Sequence, residues 1–166
     1  MSQRRSTTNP PPKAPRRPRR IHEETSGKLP ELAGCPKCGA SYRNGRWTWK
    51  KAPIGSYEQV CPACERIEND YPGGELHVQG DFAASHRDEI LGLIHNVEEA
   101  EKKEHPLKRI MDIQDDDSGF IVRLTDGKLA ESLGRALERA YEGQLEHPPT
   151  TTDYENLLVR VRWSRD

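Results

Sequence analysis

Two cysteine knuckles constrain this chain more than any other feature. They read Cys35-Pro-Lys-Cys38-Gly and Cys61-Pro-Ala-Cys64, they hold all four cysteines of the 166 residues, and about twenty residues separate them. Each tight turn aims two thiolates at one point, and the spacing fits a tetrahedral four-sulfur zinc site with Cys35, Cys38, Cys61 and Cys64 as ligands. A pair of thioredoxin-like redox motifs is the first alternative, but such a motif opens a helix after a strand and no strand pattern precedes Cys35. Disulfides are the second, and they belong to secreted chains. Four sulfurs leave no coordination position for water, so the expected Zn2+ staples a fold and performs no chemistry.

A staple suits the composition. Hydrophobic residues make up 33% and charged residues 32% of the chain, which is lean for one large core. No run of about eighteen apolar residues is present and the N-terminus lacks the apolar segment of a signal peptide, so a cytoplasmic protein with no membrane contact is expected.

The net charge of −1 conceals an asymmetry. Residues 1–20 carry seven basic side chains and no acidic one, whereas the remainder carries 19 basic against 27 acidic residues. Prolines at 10, 11, 12, 15 and 18 forbid a helix there. Residues 1–34 are therefore read as a disordered Arg/Pro-rich tail. Arg16, Arg17, Arg19 and Arg20, with the other tail cations, could grip RNA phosphates; seven contacts to a single strand would give a salt slope of roughly −5. A solubilising tail and a transit peptide are the other readings.

Between the knuckles, Asn44-Gly45 signals a hairpin turn. Strand alternation after it places Trp47 and Trp49 on one face and Arg46, Thr48 and Lys50 on the other. No acidic residue occurs from Ala33 to Tyr57. Arg43, Arg46, Lys50 and Lys51 are candidate phosphate contacts, and Trp47 and Trp49 candidate base-stacking rings, unless the rings are simply the small module's core.

After a turn at Tyr71-Pro72-Gly73-Gly74, the rest of the chain alternates strand and helix patterns. A strand at 75–79 is followed by a helix to about Glu104, capped by Asp81 or Ser85, with Ile90, Ile94 and Val97 as its stripe. A strand over 107–114 has Leu107, Met111 and Ile113 on one face, interrupted by Arg109. Asp115 to Gly119 reads as a hairpin loop, since it lacks calcium-loop spacing. Phe120, Val122 and Leu124 face inward from the next strand. A helix capped by Thr125 or Asp126 follows, with Leu129, Leu133, Ala136, Leu137 and Ala140 buried and Gly143 as its stop. The last strand turns Leu157, Val159, Val161 and Trp163 inward.

This β-α-β-β-α-β order predicts an α+β architecture: a zinc ribbon over 35–74, then a ferredoxin-like four-stranded antiparallel sheet with two helices over 75–166. Its bare face would present Arg123, Arg160 and Arg162, either to RNA or as edge-protecting charges.

The knuckle region, Cys35-Pro-Lys-Cys-Gly-Ala with Gly45-Arg46-Trp47 and Cys61-Pro-Ala-Cys-Glu-Arg, resembles the second zinc ribbon of the large-ribosomal-subunit export adaptors. These form the nonsense-mediated-decay protein three family of archaea and eukaryotes. His105-Pro-Leu-Lys-Arg-Ile-Met111, Thr125-Asp126, Leu129-Ala130, Ala140-Tyr-Glu-Gly143 and Glu155-Asn-Leu-Leu158 resemble a group of small bacterial proteins related to it, over roughly residues 33–164. The export adaptors carry a further pair of knuckles, further domains and a leucine-rich export signal, none of which is found here. The resemblance implies contact with ribosomal RNA and the large ribosomal subunit, with the four cysteines binding zinc.

The expected function is thus a non-enzymatic, ribosome-associated RNA-binding protein without a small-molecule substrate. The alternative is a zinc-stapled protein-interaction adaptor that does not touch RNA. The six histidines are scattered, and no Ser-His-acid set or phosphate loop argues for an enzyme.

Overall fold

The structure, a computed structural model, describes residues 32–148 and 158–166. The tail cations Arg16, Arg17, Arg19 and Arg20, and Leu157, lie outside the described residues.

The first module is a four-stranded sheet of very short strands. β1 (Ala33–Gly34) pairs antiparallel with β2 (Ser41–Arg43), which forms a hairpin with β3 (Arg46–Thr48). β4 (Tyr57–Glu58) closes the other edge parallel to β1, giving the order β3-β2-β1-β4. The hairpin turns at Asn44 (φ 49°) and Gly45 (φ 79°), two consecutive left-handed residues that match the twist of the flanking strands. Helix α1 (Pro62–Glu68) then begins at the second knuckle, with Pro62 at its first position and Cys61 as its cap. Beneath these elements Ala40, Trp47, Ala63 and the cysteines form a small core, with Tyr42 and Leu107 against it.

The second module is built on β5 (Gly74–Gln79), α2 (Asp81–Ser85), α3 (Arg87–Glu104), β6 (Ile110–Asp116), β7 (Gly119–Leu124), α4 (Gly127–Tyr141), β8 (Gln144–Glu146) and β9 (Val159–Ser164). Its five strands run in the order β6-β7-β5-β9-β8. Leu76, Val78, Phe120, Val122, Leu124, Val161 and Trp163 face a continuous core completed by Ile90 and Ile94 of α3 and Leu129, Leu133 and Leu137 of α4. Asp126 caps α4, its carboxylate accepting from the Leu129 N–H at 3.1 Å. Among the described residues, no helix is long and apolar enough to cross a membrane.

The α+β class and the inward faces agree with the sequence, but four details differ. The sheet is not the four-stranded antiparallel ferredoxin-like one: β9 runs parallel to β5. The cause is β8, an edge strand that the sequence hides behind a single apolar residue, Leu145. It pairs antiparallel with β9, so the chain reverses once more before entering the sheet. The helix expected from Asp81 or Ser85 up to Glu104 is two helices that meet at His86 (φ −118°, ψ 26°), whose ring lies on Phe82 at 3.9 Å. In β6 a bulge between Ile110 and Asp112 resets the register, so Ile110 and Ile113 pack on the core in place of Leu107 and Met111. On α4 the buried small residues are Ala130 and Gly134, and Ala140 is exposed.

Candidate metal centre and its cationic surroundings

The first knuckle closes where the Cys35 N–H donates to Ala40 O at 2.7 Å and the Gly39 N–H donates to Cys35 O at 3.0 Å. Gly39 adopts φ +81°, a left-handed conformation that an L side chain rarely takes. The second knuckle is the cap of α1 itself. Together they gather Cys35, Cys38, Cys61 and Cys64 so that one Sγ of each lies within 4.8 Å of all the others. Zn–S bonds of about 2.3 Å require tetrahedral S···S edges of about 3.8 Å, and Cys38 Sγ and Cys61 Sγ stand 3.7 Å apart. The set is therefore positioned to bind a metal ion, and four sulfur donors suit zinc.

The sulfurs accept hydrogen bonds from both modules. Within the first, the Cys61 N–H donates to Cys35 Sγ at 3.3 Å and the Cys64 N–H donates to Cys61 Sγ at 3.4 Å. From the second comes Arg109. Its Nη1 donates to Cys64 Sγ at 3.2 Å, and its Nη2 donates to Cys38 Sγ at 3.2 Å and Cys61 Sγ at 3.4 Å. One guanidinium thus spans three of the four candidate ligands.

Arg109 is itself held firmly. Its Nε donates to Pro106 O at 2.7 Å, its backbone N–H donates to Thr125 Oγ1 at 2.9 Å, and its carbonyl accepts from the Thr125 N–H at 3.0 Å. Thr125 Oγ1 in turn donates to Leu107 O at 2.6 Å. Burial works to lower the Arg109 pKa, but the hydrogen bonds it donates to the Cys64 and Cys38 sulfurs, with the negative charge at Cys38 and Cys61, reverse it and hold the group firmly cationic. The thiols respond to their own surroundings. Burial pushes Cys61 up to about 12. Burial also raises Cys64, against the opposing pull of Arg109. At Cys35 burial is outweighed by backbone N–H donors from Cys61, Cys38 and Lys37, which bring it down to about 7.

Sequence reasoning missed Arg109 as part of this centre. The available signal was a cation interrupting an apolar strand face, which demands a buried anionic partner.

The two candidate stacking rings part company. Trp47 is 8% exposed, packs on Tyr42 at 5.7 Å and belongs to the core of the first module, so of the two readings offered for it the core one holds and base stacking does not. Trp49 follows the end of β3 and escapes the alternation. Its Nε1 donates to Lys102 O at 2.6 Å, and the Arg109 guanidinium lies 5.6 Å from its ring centroid. The ring remains 39% exposed. Arg46, Lys50 and Lys51 are exposed, while Arg43 Nη2 donates to Lys51 O at 2.8 Å.

The three outward arginines of the sheet are each committed to acids. Arg123 pairs with Asp112 at 2.7 Å and Asp70 at 2.8 Å; Arg160 pairs with Glu75 and Arg162 with Glu146, both at 3.3 Å. The register explains this, because Asp112, Arg123, Glu75 and Arg160 lie side by side across four strands. Opposite charges alternate along that row, so the bare face is not the basic patch expected from the arginines alone.

Comparison with family models, curated proteins and solved structures finds no match.

Proposed function

We propose that this chain is a cytoplasmic, non-enzymatic zinc-ribbon protein that binds RNA, and that its target is ribosomal RNA of the large subunit or its assembly intermediates. The observation that carries this reading is the hairpin itself. Arg43, Arg46, Lys50 and Lys51 rim a stretch with no carboxylate from Ala33 to Tyr57, and the cysteine centre at its base gives it a fixed shape. A zinc ion there would be closed to substrate by its four thiolates, and would supply structure only. Cations on a rigid hairpin suit a phosphate backbone. The motif resemblance to the export-adaptor ribbon points to the large subunit. The sheet of the second module is left out of this RNA surface, because its arginines are already neutralised.

Sedimentation of a cell extract through a sucrose gradient at low magnesium and moderate salt tests the proposal. The protein is expected with free large subunits or their precursors, and to leave them as salt is raised. Its absence from every ribosomal fraction, with no RNA binding by the purified chain in dilute buffer, refutes it.

A further inference from the structure

Where the β2–β3 hairpin meets the end of α3, the two modules enclose an open cleft of about 740 Å³, lined by Arg43, Arg46, Thr48, Trp49, Lys50 and Lys103, with Asn44 and Glu104. Four cations face one carboxylate. Two lining residues also carry a buried polar atom with no partner among the described residues, Arg43 Nε and Thr48 Oγ1. Buried polar atoms left unpaired are uncommon.

The carbonyl end of a helix normally repels anions. Here it is muted: the Lys102 carbonyl accepts from Trp49 Nε1 and the Glu101 carbonyl accepts from the His105 N–H. Trp49 is fixed on one side by Arg109 and still lines the cleft.

We propose that this cleft binds one nucleotide of a single-stranded RNA, with the phosphate on Arg46, Lys50 and Lys103 and the base against Trp49. The inference rests on the RNA-binding reading and adds Lys103, from the second module, to the site. A single strand is required because the Trp49 ring can stack only on a base that has left its own stack. The bland role of Lys103, complementing the α3 dipole, predicts no effect on RNA.

The test uses the full zinc-loaded chain. Binding of a fluorescein-labelled oligouridylate of about twelve nucleotides is followed by anisotropy over a salt series for the wild type, Lys103→Glu, Arg46→Glu and, as a control outside the cleft, Arg139→Glu. A variant with Arg16, Arg17, Arg19 and Arg20 all changed to Ala separates the tail. Lys103→Glu and Arg46→Glu should each weaken binding about five- to tenfold and lower the salt slope by at least about one, while Arg139→Glu matches the wild type. Uridine monophosphate should quench tryptophan fluorescence, inorganic phosphate should not, and Trp49→Phe should remove the signal because Trp47 and Trp163 are buried.

If both cleft variants bind RNA like the control, the cleft is not the site and the RNA-binding reading survives alone. If the wild type binds no RNA, both fall. Binding to polyglutamate as tight as to RNA would mark an acidic-protein dock, and saturation by inorganic phosphate would remove the role of the base; either overturns the proposal.

Discussion

Arg109 touches Cys38, Cys61 and Cys64 from outside the module that carries them, and the chemistry of the centre depends on that reach. Groups that hydrogen-bond metal ligands typically change metal affinity ten- to a hundredfold when removed. Arg109→Ala should therefore weaken zinc retention by roughly that factor in competition with a chromophoric chelator, and Arg109→Lys, which keeps the charge but loses the fork, should fall between. Proton linkage gives a second prediction. Burial pushes Cys61 up to about 12, so it holds its proton at neutral pH more firmly than Cys35, which backbone N–H donors draw down; metal uptake therefore expels protons and affinity climbs as pH rises. Calorimetry in buffers of different ionisation enthalpy should register that release. On the sheet, the hydrogen bond from His77 holds Glu75 below its ordinary value of 4.5, against burial and with help from Arg160. A depressed carboxyl stabilises the fold above its unfolded pKa and ceases to do so as pH falls through the folded one. The stability gap between wild type and Glu75→Gln should thus be open at neutral pH and close below about pH 4.5 in urea titrations at successive pH values.

The stretch from Pro106 to Ile110 works as an arm between the modules, and Thr125 is its anchor. The Thr125 hydroxyl donates to Leu107 O and accepts from the Arg109 N–H in a site only 5% exposed. Thr125→Val keeps the shape and strands both partners, so unfolding should be easier by about 1–3 kcal/mol in urea, with faster zinc loss. Some of this arm could be read in advance and some could not. The cysteine centre is legible because its knuckles are local: four residues specify each turn, closed by Gly39 at the first and by the start of α1 at the second, without help from distant chain. The inward positions of β5 and β7 and the buried leucines of α4 are legible for a similar reason, since period and burial coincide there. Arg109 is not, because its partners lie 45 to 71 residues away in sequence, and in isolation it resembles a flaw in a strand. The direction of β9 is equally hidden, since it depends on a three-residue edge strand with one apolar side chain. Trp49 misled the alternation argument because the strand stops one residue before it.

At the scale of the whole chain, the two modules draw stability from different sources. The second has a continuous apolar core of fourteen buried residues. The first has strands of two or three residues and a core in which three of the six buried members are cysteines. Removing the metal should therefore act on one module alone: hydrogen exchange after chelation should show residues 33–68 losing protection while the core strands of the second module keep theirs. Simultaneous collapse of both would mean that the second core cannot stand without the first.

Four thiolates around a divalent ion would leave two negative charges, and one guanidinium from a remote loop stands against three of the four sulfurs. A graft of residues 33–68 onto a foreign scaffold would leave that charge behind and expose the flank that Leu107 and Arg109 cover. The indivisible piece is thus a discontinuous one, knuckles plus arm, and any minimised derivative of this protein has to carry both.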